Sequence, residues 1–295
     1  MNINDPENVK LNIETEMSNS SKAYALFYSF FLIPLMIAVF GALFFFLFQM
    51  LTYESQNPYD LLNNIKSGSL TKRWQSAYEL SNLMSDVENI PEDPMFANQI
   101  ALMYEKAVYD DPRVRTYLAL AMGQTQNNKF CESLNIGIND AGLNNRIAAI
   151  KSIGMIKCSD LVNTLNDLII SDDDNQIRLA AIISSGQILD VSSIKYLQMT
   201  LEDEEPNIRW DSALSLAKFG NNAGYNVLKN LLSRDYYKNY PEVDVREVEN
   251  TILTVLAMVS DIKTRDFKEE LNLLAETEKN IKIREFAMKI LHEYY

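Results

Sequence analysis

The side chains that most often carry chemistry are sparse in this chain of 295 residues. Its one histidine, His292, lies near the C-terminus with no second histidine or cysteine cluster beside it in sequence. Neither a zinc site nor a Ser-His-Asp arrangement is supported. Asp172, Asp173 and Asp174 concentrate negative charge, yet the stretch lacks the glycine and distal glutamate of a calcium-binding loop. Cys131 and Cys158 are the only cysteines, which excludes a disulfide-rich scaffold and a multi-cysteine zinc site. One bridge and two free buried thiols both stay open, and with them the redox compartment. Gly41, Gly68, Gly123 and Gly154 stand singly, so no glycine loop is present to cradle a phosphate. The residues therefore point to a protein that is not an enzyme and that carries no cofactor and no metal.

A repeated phrase accounts for several of these residues. Asp172 to Gly186 reads as an acidic turn, a helix opening at Ile177-Arg178, Ala181 three positions after the arginine and Gly186 eight after it. The phrase returns around Arg115 with Gly123, Arg146 with Ala149 and Gly154, and Arg209 with Ala217 and Gly220. Arg115, Arg146, Arg178 and Arg209 follow one another at 31 or 32 residues, a period that marks a stacked repeat protein. The octet Arg73-Trp74-Gln75-Ser76-Ala77-Tyr78-Glu79-Leu80 matches Arg209 to Leu216, which brings the first repeat into the array. The acidic stretch Asp86 to Pro94 reads as an inserted loop. Between the arginine helices lie runs with apolar residues at helical spacing, such as Leu161, Leu165, Leu168 and Ile169, so each repeat is a helical hairpin. Acidic or amide residues and Pro112 or Pro206 suit the helix starts. The returning glycine suggests close helix contact, and the arginines can pair with the acidic turns of adjacent repeats.

These residues resemble the short bacterial HEAT-like repeats, often called phycobilisome-lyase HEAT-like repeats. The resemblance covers roughly residues 60 to 295 and implies a right-handed α-solenoid. Proteins with similar repeats include bilin lyases and HEAT-like DNA glycosylases, but the shared motifs are packing residues, so no catalytic residue is carried over. A net charge of −13 is a poor match to a phosphate backbone, which excludes nucleic acid as the expected partner.

Ahead of the repeats, no charged residue occurs from Ala23 to Tyr53, and Phe30 to Phe48 is apolar throughout. Those 19 residues give a helix of roughly 28 Å, close to the hydrocarbon thickness of a bilayer. No Ala-x-Ala pattern follows Phe48, which argues against a cleaved signal peptide. Tyr24, Tyr28 and Tyr53 sit where headgroup-level rings are favoured. Ala38, Gly41 and Ala42 form a small-residue patch without a Gly-x-x-x-Gly motif, which leaves self-association open. Lys66, Lys72 and Arg73 follow the span and Lys10 and Lys22 precede it, a count that points the solenoid to the cytoplasm by one residue.

The expected fold class is all-α: a single transmembrane helix followed by about seven HEAT-like hairpins. Its divisions are a polar tail (1–22), the membrane helix (23–53), a short linker (54–60) and the solenoid (61–295). The expected function is that of a membrane-anchored scaffold or adaptor that binds a partner protein, as an accessory subunit of a membrane complex. The alternatives are an enzyme of the bilin-lyase type and a self-associating structural membrane protein. Counting from each arginine, positions −1, +3, +7 and +10 share one side of the helix and should form the core. Positions +1 and +5 point away from it: Trp74 and Tyr78, Thr116 and Leu120, Ile147 and Lys151, Leu179 and Ile183, Trp210 and Leu214. Of these, Trp74, Tyr78, Leu120, Ile147, Leu179, Ile183, Trp210 and Leu214 are the expected partner-binding residues, because a solvated face should be mostly polar.

Overall fold

A computed structural model describes residues 27–52 and 57–295. Two compact units result, Met1–Gln56 and Asn57–Tyr295. In the first, a π-helical turn (Tyr28–Leu32) runs into α1 (Ile33–Thr52). The apolar run Tyr28–Phe48 has 21 residues, a mean hydropathy of 2.7 and no buried share, so it is long and apolar enough to cross a bilayer. A Cβ placed on Gly41 would meet nothing within 4 Å. Of the tyrosines expected at the headgroups, Tyr28 is half exposed. Tyr24, Tyr53 and the polar tail lie outside the described residues.

The second unit is helical among the described residues and consists of paired helices. These are α2 (Pro58–Ser67) with α3 (Leu70–Leu83), α4 (Pro94–Lys106) with α5 (Pro112–Gln124), and α6 (Cys131–Gly137) with α7 (Leu143–Ile156). There follow α8 (Val162–Ser171) with α9 (Asn175–Ile188), α10 (Ile194–Met199) with α11 (Pro206–Lys218), α12 (Tyr225–Leu231) with α13 (Val245–Ile262), and α14 (Lys268–Thr277) with α15 (Ile281–Tyr294). The first helix starts at Pro58, with Asn57 as its cap, so the end of the expected linker is already helical. Helices α3, α5, α7, α9 and α11 carry the repeated arginines and pack side by side in one row, which makes the unit an α-solenoid.

Helix starts follow the expected chemistry with two departures. Asp111 accepts from the Arg113 amide at 3.0 Å and Asp174 from the Gln176 amide at 2.8 Å. At α7, however, the cap is Gly142, and Asn144 and Asn145 lie inside the helix. At α11 the Glu205 side chain makes no cap bond, and Pro206 at the first position needs none for its missing N–H.

Core positions agree with the register. Leu118, Ala149, Ala181 and Ser212 at +3 are buried, as are Met122, Ile153, Ser185 and Leu216 at +7. Positions +4, +6 and +8 are buried too, because each arginine helix has a neighbour on either side in the row. The glycines at +8 explain themselves there. A Cβ on Gly154 would sit 2.7 Å from the Ser184 Cα, and one on Gly186 would sit 2.4 Å from the Ser215 Oγ. The facing serine at +6 donates to the adjacent helix: Ser152 Oγ to the Ala119 carbonyl at 2.7 Å, Ser184 to Ile150 at 2.9 Å and Ser215 to Ile182 at 3.2 Å. Glycine lets the backbones approach, and serine satisfies itself without needing space or water.

The arginines form a ladder between repeats. Arg73 pairs with Asp110, Arg115 with Asp140 at 2.6 Å, Arg146 with Asp172 and Arg178 with Asp203. Each aspartate also shapes its own turn, as Asp140 does by accepting from the Gly142 amide at 2.9 Å and Asp172 from the Asp174 amide at 3.0 Å. The carboxylates of Asp172 and Asp174 are thus engaged in pairing and capping. Arg209 departs from the rule. In the segment after α12, Asp235 pairs with Lys238 and Asp244 caps the next helix, so no aspartate meets Arg209, which donates instead to the Tyr240 hydroxyl at 2.9 Å and to the Asp203 carbonyl at 2.6 Å. Cys131 and Cys158, which the sequence left open, are joined in a disulfide between the start of α6 and the turn after α7.

Candidate functional site

The row of arginine helices has one side packed on the partner helices α2 to α10 and one open side. The register can be read directly on the open side between α5 and α7, where Thr116, Tyr117, Leu120, Ile147, Ala148 and Lys151 line a depression of about 260 Å³. These are positions +1, +2 and +5 of two successive repeats, and Arg113 and Asn144 at −2 complete the lining. The structure therefore brings Leu120 and Ile147 together, and it adds Tyr117 at +2, which the two-position reading missed. A helix turns 100° per residue, so +2 flanks +1 on the same strip, and the signal was available.

Most of the expected strip is half-buried, since neighbouring helices in the row cover each residue in part. Trp74, Leu120, Ile147, Leu179, Ile183 and Leu214 are of this kind, and Tyr78 is exposed at 46%. Tyr78 meets Tyr117 edge to face at 5.2 Å between ring centres, which extends the apolar strip from α3 to α5. Trp74 lies beneath the Arg113 guanidinium at 4.1 Å, a cation–π contact that covers one face of the indole.

Trp210 is the exception, and its expected place on the open strip is corrected. It is only 8% exposed, in the second of two core clusters that meet in α11. The one-turn helix Tyr236–Asn239 and the residue after it fold over the indole. Tyr240 approaches at 5.3 Å and Tyr237 at 6.2 Å between ring centres, while the indole N–H donates to the Tyr236 hydroxyl at 3.2 Å. The register of Trp210 is that of Trp74, but the tyrosine-rich connection after α12 has no counterpart beside α3.

Beside Trp210, Asp211 holds the +2 position that Tyr117 and Ala148 hold in the lined depression. It is half-buried and makes no hydrogen bond or ion pair with any described residue. Burial pushes its carboxyl up to about 6, with Lys218 on the same helix pulling partly the other way. Lys151 is exposed and likewise without an ion pair among the described residues. Among the described residues no group of three or more His, Cys, Asp or Glu is placed to hold a metal ion.

Comparison with known proteins agrees with this architecture. Residues 136–204 match the HEAT repeats family. No curated protein sequence matches the chain. Among solved structures, the complex of CpcE and CpcF of phycocyanin lyase from Nostoc sp. PCC7120 is similar with a TM-score of 0.55 and 17% identity, over 82% of this chain and 90% of that one. YibA of E. coli gives 0.49 and 16%, over 83% and 84%. At 17% identity the likeness to the lyase complex shows the fold, a HEAT-like α-solenoid.

Proposed function

We propose that this protein is a membrane-anchored HEAT-repeat scaffold whose open solenoid face docks a partner protein, as an accessory subunit of a membrane complex. The observation that carries the reading is the apolar strip. Tyr78, Tyr117, Leu120, Ile147, Leu179 and Ile183 leave apolar surface facing outward across four successive helices, on the side of the row that no partner helix covers. A contiguous strip of this kind is a recurrent mark of an interaction site. Tyrosine is a favoured anchor within one. The uncharged helix Tyr28–Phe48 supports anchoring in a bilayer.

For the side of the membrane, the flanking charge count favours the cytoplasm by a single residue. The bond between Cys131 and Cys158 argues the other way, because disulfides persist in oxidising compartments. We assign the solenoid to the oxidising side on that ground. The lyase named in the structural comparison would make an enzyme the rival reading. The strip is shallow and carries no convergent set of catalytic groups, which favours the scaffold.

The test is substitution in the full-length protein, solubilised in detergent after capture of its partner. Leu179→Ser with Ile147→Ser is expected to lose the partner while the melting temperature stays within a few degrees of wild type. Retention of the partner by the double variant would contradict the reading.

A further inference from the structure

The open face is nearly free of uncompensated charge, and the exceptions are placed unevenly. Arg113 is held by Asp111 at 2.6 Å and stacks on Trp74. Lys151 at +5 of α7, Asp211 at +2 of α11 and the exposed Lys218 two turns beyond Asp211 have no hydrogen bond or ion pair among the described residues, and Lys218 offsets the buried carboxylate only in part. Ile147, Leu179, Ile183 and Leu214 occupy the strip between and around them. An acid that is half-buried without a partner is costly to the folded chain, and its cost falls when a cation is brought to it.

The geometry points to an extended segment of a partner protein that brings a lysine or arginine to Asp211 and an aspartate or glutamate to Lys151. Its apolar side chains would lie over Ile147, Leu179 and Ile183. This deepens the docking role proposed above and rests on it. The spacing follows from the row. Helices α7 and α11 are two steps apart, each about 9 Å, and a chain in extended form advances about 3.3 Å per residue. The two opposite charges of the segment are therefore separated by roughly five or six residues. Charge at the two ends also fixes which way the segment lies, a task that an apolar strip alone performs poorly.

The experiment is selection of a random twelve-residue peptide library on the full-length protein in detergent micelles. Enriched peptides are expected to carry opposite charges about five or six residues apart around apolar residues. Asp211→Asn is expected to weaken the best peptide about tenfold, the size of one charge-assisted contact. Asp211→Lys should restore binding of the same peptide once its basic residue is replaced by glutamate. Enriched peptides without this charge pattern, bound equally by the Asp211→Asn protein, would overturn the inference and leave the docking strip standing. Failure of any peptide to enrich, or binding insensitive to Ile147→Asp, would overturn both. Light scattering that shows a dimer dissolved by Ile147→Asp would give the strip to a second copy of the chain and also overturn the inference.

Discussion

At the scale of single residues, sequence position and physical environment diverge most at Trp74 and Trp210. Both follow an arginine in octets that share five of eight residues, yet Trp210 lies under three tyrosines and Trp74 under one guanidinium. Trp210→Ser is expected to cost on the order of 3 kcal/mol or more, the range for emptying a large aromatic site, whereas Leu179→Ser costs far less. Urea denaturation of the two variants compares them. The glycines were legible in advance, because a helix interior rarely tolerates glycine at one register without a contact to explain it. Gly186→Leu is expected to lose about 1 to 3 kcal/mol by overpacking against Ser215, and Lys151→Leu to lose little. Asp211 was not legible: its sequence neighbours say nothing of the burial that raises its carboxyl from near 3.8 to about 6. The folded state then holds a proton that the unfolded chain has released, so stability contributed at Asp211 falls as pH rises from about 4 through 6. Asp211→Asn is expected to raise Tm at pH 7 and to leave it near wild type at pH 4, as scanning calorimetry would read.

At the scale of elements, the hairpins and their order follow from period and punctuation. Apolar spacing gives the helices, and acidic residues and proline give their starts. The partners of the arginines were legible only as a class. Which aspartate each one meets depends on how repeats stack, and Arg209 shows the limit, since the connection after α12 supplies Tyr240 in place of an acid. The pair Arg115–Asp140 is the most enclosed rung, with side chains 3% and 11% exposed. Asp140→Ala is expected to cost about 3 kcal/mol, because it strands a buried guanidinium, and chemical denaturation measures it. The disulfide closes 27 residues across α6 and α7. Two cysteines could not announce that bond from sequence, where both bonded and free states fit. Replacing both with alanine is expected to lower stability by about 3.5 kcal/mol, the loop-closure value for a loop of this length.

At the scale of the whole molecule, composition excluded more than it identified. Low glycine and proline content, acidity and a fixed period leave an α-solenoid, and the uncharged run ahead of it leaves a helix long and apolar enough to cross a bilayer, but neither names a partner. The reason is physical. Solenoid repeats conserve the contacts that stack them, while the open face is free to differ from one protein to the next. Sidedness is testable apart from binding: with the solenoid on the oxidising side, alkaline phosphatase fused after Tyr295 is active and a fluorescent protein there is dark. The claim that the open strip docks a protein is tested most directly by site-specific photo-crosslinking in cells that express the full-length chain. A photoreactive residue at Ile147, Leu179 or Ile183 is expected to give one discrete adduct of higher mass, and one at the exposed positions Val191 and Met199 on the partner-helix side to give none. Equal crosslinking from both faces, or adducts only from Val191 and Met199, would contradict the account.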